Sequence, residues 1–380
     1  MSNTIHIFNP EHDIALAANA EHWTAPHAGR QLRADLGWLP ALWAADGDVV
    51  LVDDVDASRE AYRRLKREHK ADVLFADIHH IADISRNATA IQPWGWDLAL
   101  RHQLVHAGVS EALLPTKADI AVLREQSGRQ SAIALLQALR TGLEKQTCGQ
   151  STVVSSIDEI TELQKTWGSL VVKAPWSSSG RGVRYLPVGE DITESTLRWT
   201  ANTLRQQGAL TVEIYLNKVY DFGMEFHSDN DGHVAYLGLS LFHCVNGAYK
   251  GSILATEAEK RDIMARYIPL HLLDEVQQRI CTLLDGCFRN QPFGIDMMLC
   301  KPTDMSVANT GRADSEIEDN PTRTPLLLNP CVELNLRRTM GHVALSISPQ
   351  QPCCQQVMQI GYEARNYHFR IYDNQEIFVI

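Results

Sequence analysis

Glu333, Asn335 and Arg337 stand at alternate positions of the run Cys331-Val332-Glu333-Leu334-Asn335-Leu336-Arg337. In an extended strand, residues two apart face the same side. One face therefore carries a carboxylate, an amide and a guanidinium, and Val332, Leu334 and Leu336 face the other. A second acid, Asp296, closes Phe293-Gly294-Ile295-Asp296. Between the two runs lies the polar stretch 301–324, which reads as a long exposed hairpin loop. Folded back, the runs would bring Asp296, Glu333 and Asn335 into one all-oxygen set. That set suits Mg2+, which keeps part of its coordination for water and phosphates. Arg337, at the end of the row, can hold a phosphoryl group as charge develops on it. The plainer alternative is a solvated strand face.

Two further segments could serve a nucleotide. In Val171-Val172-Lys173-Ala174-Pro175-Trp176-Ser177-Ser178-Ser179-Gly180-Arg181-Gly182 a strand delivers Lys173 to a loop of small residues. Serine and glycine let backbone N–H groups crowd around an anion, and Lys173 can set a point charge on a phosphate oxygen. The GxxxxGK[ST] pattern is absent, so this is not a P-loop. A plain hairpin turn fits these residues equally well. In Thr211-Val212-Glu213-Ile214-Tyr215-Leu216, followed by Asp221, a strand runs into a short linker. Its backbone can meet an adenine edge and the later carboxylate can take ribose hydroxyls, although an ordinary core strand would look the same.

In this order, the Lys-loop, the Val-Glu-x-x-Leu hinge, Gly-x-Asp and Glu-x-Asn-x-Arg resemble the ATP-grasp superfamily of carboxylate–amine ligases over residues 117–350. The resemblance implies ATP and Mg2+ as cofactors and activation of a substrate carboxylate as an acyl phosphate. It implies Lys173 on the α/β phosphates, under a flexible loop that includes Ser177, Ser178, Ser179, Gly180 and Gly182. Glu213 and Leu216 would form the adenine hinge and Asp221 the ribose ligand. Asp296, Glu333 and Asn335 would hold magnesium, with Arg337 beside the transferred phosphate. Where the family often has a second phosphate-binding lysine, this chain offers Arg124 and Arg129. The continuation Arg338-Thr339-Met340-Gly341-His342 departs from the ligase branches and leaves the substrate open. A small-molecule kinase on the same scaffold and a non-catalytic nucleotide-binding module remain alternatives.

The elements around these residues read as α/β plus α+β. Strands at 5–8, 48–52 and 71–76 alternate with helix-prone stretches, as in a parallel sheet. We expect an N-terminal α/β domain over 1–115, like that preceding the ATP-grasp fold in its relatives. Two α+β subdomains over 116–212 and 213–380 would follow, the first with the Ser/Gly loop and the second with the magnesium strands. Helices are expected over 119–143, 193–207 and 270–285. Strands are expected at 151–154, 170–173, 210–215, 235–242, 293–299 and 326–336.

Composition narrows the partners. The chain has 380 residues, 44% hydrophobic and 21% charged, with a net charge of −11. That charge argues against broad nucleic-acid binding. No run of about 18 apolar residues predicts a membrane span, and the polar start at Asn9-Pro10-Glu11-His12-Asp13 is unlike a signal peptide. The eight cysteines form no CxxC pair, so a cytoplasmic protein is expected. Expected partners are a small-molecule or peptide carboxylate and an amine; a homodimer is left open. Asn9, Glu11, His12 and Asp13 follow the first strand, and with the polar and aromatic cluster Pro93-Trp94-Gly95-Trp96-Asp97 they are read as shaping the acceptor site, a packed turn being the plainer alternative. His102 and His106 share a helix face, but the glutamate of H-E-x-x-H is missing. Lys250 could reach a phosphate or belong to a surface hairpin.

Overall fold

The computed structural model describes residues 3–65, 71–177, 182–245, 248–302, 326–352 and 355–373. Most of the loop expected at 301–324 lies outside them, as do Ser178, Ser179 and Gly180.

The chain opens with β1 (Asn3–Ile7), α1 (His12–Ala18), α2 (His27–Leu36), β2 (Val49–Leu51) and α3 (Val55–Arg64). It continues with β3 (Leu74–Ala76), α4 (Ile81–Ser85), β4 (Ala88–Pro93) and α5 (Leu98–His106). β2 is wholly apolar and buried, and the second half of β1, Ile5-His6-Ile7, is buried with it, as parallel strands under helices must be. They form a parallel sheet in the order β3-β2-β1-β4. The chain moves outward from β1 to β3 and then returns to the other side of β1. The carboxyl ends of β1 and β4 therefore meet at the topological switch, where α/β sheets take ligands. Residues 9–13 and 93–97 both leave from that point, and Asn9 Nδ2 donates to the Gly95 carbonyl at 2.8 Å.

Next come α6 (Lys117–Gln126), α7 (Arg129–Arg140), β5 (Ser151–Val154), α8 (Ile157–Trp167) and β6 (Leu170–Lys173). β7 (Val183–Leu186), α9 (Glu194–Gln207) and β8 (Leu210–Ile214) complete this part. Its antiparallel sheet has the order β5-β8-β6-β7 and a small core of its own, with Val154, Ile160, Leu170, Val172, Leu186, Leu210 and Val212. Hydrogen bonding groups all of β8 with this sheet, two residues past the expected division at 212/213.

The rest is β9 (Lys218–Ser228), β10 (Val234–Val245), β11 (Ala248–Leu254), α10 (Glu257–Met264), α11 (Leu270–Leu284) and β12 (Gln291–Cys300). Then follow β13 (Leu327–Asn335), α12 (Met340–Ile347), β14 (Gln356–Glu363) and β15 (Asn366–Asp373). The strands make a seven-stranded antiparallel sheet in the order β13-β12-β9-β10-β11-β14-β15. Expected helices and strands fall close to observed ones, whereas β4, β7, β9, β11, β14 and β15 were not anticipated. β9 has acids facing one way and a hydrophobic set facing the other. Phe222, Met224 and Phe226 enter the main core with α7 and α11 beneath; Asp221, Gly223 and Glu225 take the opposite face.

The N-terminal unit and the large sheet are fused. Phe8, Trp38, Val50 and Trp94 share one core with Leu254, Val343, Ala344 and Met358. Arg338 N–H donates to the Trp94 carbonyl at 2.9 Å. Tyr367 N–H donates to Asp35 Oδ2 at 2.7 Å. Among the described residues no helix is long and apolar enough to cross a membrane.

Phe226 is fully buried and stacks on Phe293 with centroids 5.2 Å apart. Phe226→Ala should cost about 3–5 kcal/mol of stability, the range for opening a cavity at a packed aromatic. Urea unfolding at equilibrium measures it. A loss below about 1 kcal/mol would mean that this core is not packed as described.

Candidate active site

The β12–β13 hairpin pairs as the alternation requires. Asp296 lies opposite Glu333, and Gly294 opposite Asn335. On the other side of β12, Glu225 lies opposite Gly294 and Gly223 opposite Asp296. The acids of three strands thus share one sheet face. Gly294 exists because of this crowding: a Cβ there would sit 2.4 Å from Glu225 Oε2. Asn335 Nδ2 donates to Asp296 Oδ2 at 3.2 Å.

So many acids perturb one another. Burial pushes the Asp296 carboxyl up to about 8, and the like charges of Glu333 and Glu225 add to the rise. Arg337 and the Asn335 amide act in the opposite sense. Glu225 is 2% exposed and has its own partners. Thr339 Oγ1 donates to its Oε2 at 2.8 Å, and His342 Nδ1 lies 2.9 Å from the same oxygen. His342 Nε2 meets the Phe226 carbonyl at 3.2 Å. Thr339 and His342 also form the capping box of α12, with His342 Nδ1 accepting from the Thr339 N–H at 3.1 Å, so the helix start that follows the Arg337-Arg338 turn places Thr339 Oγ1 as a donor to Glu225.

Two arginines supply the countercharge. Arg337 grips Asp13 with two bonds of 2.8 Å and also donates to Asn335 Oδ1 at 3.0 Å. Burial works to raise the Asp13 carboxyl, but Arg337 outweighs it and holds the group below its ordinary value. Arg129, at the start of α7, donates to both oxygens of Glu333 at 2.9 and 3.1 Å. Its other terminal nitrogen donates to the Ala174 carbonyl and to Ser177 Oγ, both at 2.7 Å. Arg124 stands apart: its guanidinium stacks 3.6 Å over Trp176 and its Nε donates to the Leu16 carbonyl. Of the two candidates for the missing lysine, Arg129 is the one beside the acids.

Lys173, at the end of β6, is 8% exposed and its Nζ lies 2.7 Å from Glu213 Oε1 on β8. Leu216 follows β8 and packs against Cys148 and Cys300. Asp221, expected just past the hinge, stands inside β9, where Lys218 Nζ lies 2.5 Å from it. Gly182 packs on the Ser177 side chain. The structure therefore joins Lys173 to Glu213, and joins Asp296, Glu333, Asn335 and Arg337 to one another. It adds Asp13, Arg129 and Glu225 as direct partners of those groups. A charged residue alternating with the apolar set Phe222, Met224 and Phe226 was the available signal for Glu225. His102 and His106 stack with ring centroids 5.9 Å apart. Lys250 is exposed on β11.

Among solved structures, the chain is similar to the biotin carboxylase–β,γ-ATP complex of Campylobacter jejuni. The TM-score is 0.52 at 15% identity, over 96% of this chain and 76% of that one. The chain has the ATP-grasp fold. It is also similar to Rhizobium etli pyruvate carboxylase (TM-score 0.50, 13% identity, 94% of this chain and 31% of that chain). The ADP complex of N5-carboxyaminoimidazole synthetase from Staphylococcus aureus gives 0.49 at 11% identity, over 95% and 83% of the two chains. No protein-family model matches the sequence, and no curated protein does. In ATP-grasp terms, the small sheet carries Lys173 and the loop after it, and the large sheet carries the acids.

The acid row makes stability depend on pH. Folded Asp296 keeps its proton up to about pH 8, whereas an unfolded aspartate loses it near pH 4. Between those values the native state binds more protons, so this group lowers stability as pH rises, by up to about 1.4 kcal/mol per unit. Asp13, held low, works in the other sense only at acid pH. Without divalent cations, the wild-type unfolding midpoint should fall from pH 5 to 8 more steeply than that of Asp296→Asn. Parallel curves for the two proteins would refute the assignment.

Proposed function

We propose that the chain is an ATP-dependent ligase that activates a substrate carboxylate as an acyl phosphate, which an amine or another nucleophile then attacks. The observation that carries this reading is the row Asp296, Glu333 and Asn335 on one sheet face, flanked by two arginines and facing the Lys173 strand. The ATP analogue in the Campylobacter jejuni biotin carboxylase complex agrees with it.

The donor set fits magnesium. Two carboxylates and an amide oxygen offer only hard ligands, and an Asp296 carboxyl raised to about 8 marks negative charge short of a cation. Asp296, Glu333 and Asn335 would hold Mg2+, which when bound neutralises phosphate charge and aligns the oxygens being exchanged. Lys173 sets its ammonium on the α/β phosphates. Glu213 orients that ammonium and, with the Leu216 backbone, receives the adenine. Asp221 takes the ribose. Ser177 and Gly182 bracket the phosphate loop, whose Ser178, Ser179 and Gly180 lie outside the described residues.

In the first step a substrate carboxylate oxygen attacks the γ-phosphorus and the bond to the β-phosphate oxygen breaks. Arg337, fixed by Asp13, and Arg129 stabilise the equatorial oxygens in this step. In the second step the amine attacks the acyl carbon, phosphate leaves with the C–O electron pair, and the nitrogen gives up a proton. An amide-type bond, ADP and phosphate result.

Asp296→Asn and Glu333→Gln should each lower ATP consumption at least about a hundredfold, the scale for losing a group that stabilises the transition state. MgATP analogue at a hundredfold excess over Kd should add about 2.7 kcal/mol of stability to the wild type, and less to either variant. Near-normal turnover in both variants, or no thermal shift in the wild type, would reject the proposal.

A further inference from the structure

A cavity of about 850 Å3 opens at the carboxyl edge of the parallel sheet, between α1, α2 and α5. It is distinct from the cleft lined by His12, Asp13, Ser177 and Glu333. The first turn of α1 divides them: Glu11 and Ala15 line the cavity, and Asp13 on the other side holds Arg337.

Glu11 is 8% exposed. Its Oε1 accepts from Arg33 at 3.3 Å, and its buried Oε2 has no donor. A buried carboxylate oxygen left without a donor is costly, and burial raises the Glu11 carboxyl above its ordinary range. The other acids of the wall are provided for. Glu21 pairs with Lys117, and Asp53 lies 3.9 Å from Arg33. Asp97 accepts from Asn9 and from the Leu100 N–H, and it meets His12. The deep wall therefore asks for one donor, at Glu11.

The rim has the opposite character. Arg30 is exposed on α2, and its side chain forms no ion pair or hydrogen bond among the described residues. His22 meets His102 edge to face at 4.4 Å, and His102 stacks on His106. The Arg30 guanidinium and the imidazoles lining the same cavity offer N–H donors to an anion, with Glu21 Oε2 3.7 Å from His102 Nδ1.

We propose that this cavity binds a small anion-bearing primary amine, such as an acidic amino acid or an aminoalkyl phosphate. Its N–H groups meet Glu11, and its anionic group meets Arg30 and the histidines. Glu11 lines the cavity, and turning its side chain away from Arg33 presents a carboxylate oxygen to a ligand there. Because Glu11 and Asp13 belong to one turn, a ligand here bears on the partner of Arg337. Binding does not depend on the ATP reading.

The test is titration calorimetry of the full chain with aspartate, glutamate, β-alanine and O-phosphoethanolamine, each also as its N-acetyl form. At least one amine should bind the wild type at millimolar concentration or below, and its N-acetyl form should not. Glu11→Gln and Arg30→Ala should each weaken binding at least about tenfold, the scale of one charged hydrogen bond. Arg30 is exposed on a helix, where alanine is well tolerated, so that variant stays informative if Glu11→Gln folds poorly. No binding by any of the four amines, or binding that survives acetylation and both substitutions, overturns the proposal. The MgATP shift measured alongside reports separately on the phosphoryl site. Its loss would count against the ligase reading, and its retention in both variants would leave that reading standing whatever the amines do.

Discussion

Carboxylates crowded on one face of the β9–β12–β13 ladder are the constraint around which the other parts are arranged. Glu225, Asp296 and Glu333 lie in adjacent register rows, and like charges this close cannot all stay ionised without countercharge. The large sheet cannot supply that countercharge alone. The row is completed from outside: Arg337 from the turn after β13, Arg129 from α7, and the Thr339–His342 cap from α12. Each donor lies on an element with another reason to be there. The start of α12 is fixed by its own capping box, and α7 by its burial against the main core.

The same constraint ties the N-terminal unit to the site. Asp13 is the bidentate partner of Arg337, so the first turn of α1 is an outer wall of the acid-lined cleft. The pair is only half-buried, so breaking it leaves two charges with partial access to water. The α/β unit is therefore bound to the large sheet by electrostatics at the site as well as by the shared apolar core behind it.

Alternation made the acid row legible in the sequence. Glu333, Asn335 and Arg337 sit two apart, their apolar neighbours define the other face, and the hairpin pairing with Asp296 follows. Lys173 was legible for a similar reason, as the polar end of a short apolar strand. What stayed hidden was every long-range partner. Nothing in the spacing of Asp13 and Arg337, or of Arg129 and Glu333, records that they meet, because those contacts depend on how separate units pack. β9 was missed for a local reason: its site-facing positions hold Asp221, Gly223, Glu225 and His227, and polar or small residues there mask a strand. The expected division at 212/213 ran through β8 because sequence alone does not show which sheet claims a strand's last residues.

Arginine rather than lysine at the two countercharge positions follows from what each must span. Arg129 serves four acceptors on two elements: both Glu333 oxygens through one terminal nitrogen, and the Ala174 carbonyl and Ser177 hydroxyl through the other. An ammonium has three donors at one point and cannot reach two separated sites together, whereas a planar guanidinium can. This one side chain thereby links the end of the Lys173 strand on the small sheet to the acid row on the large sheet. Beside the backbone bridge between Thr147 and Leu328, such a link makes the distance between lysine and acids a property of the site. Arg337 repeats the arrangement on the other flank, holding Asp13 and Asn335 at once. The acids are thus gripped from both neighbouring units, and any movement of either unit is transmitted to them through a charged, directional contact.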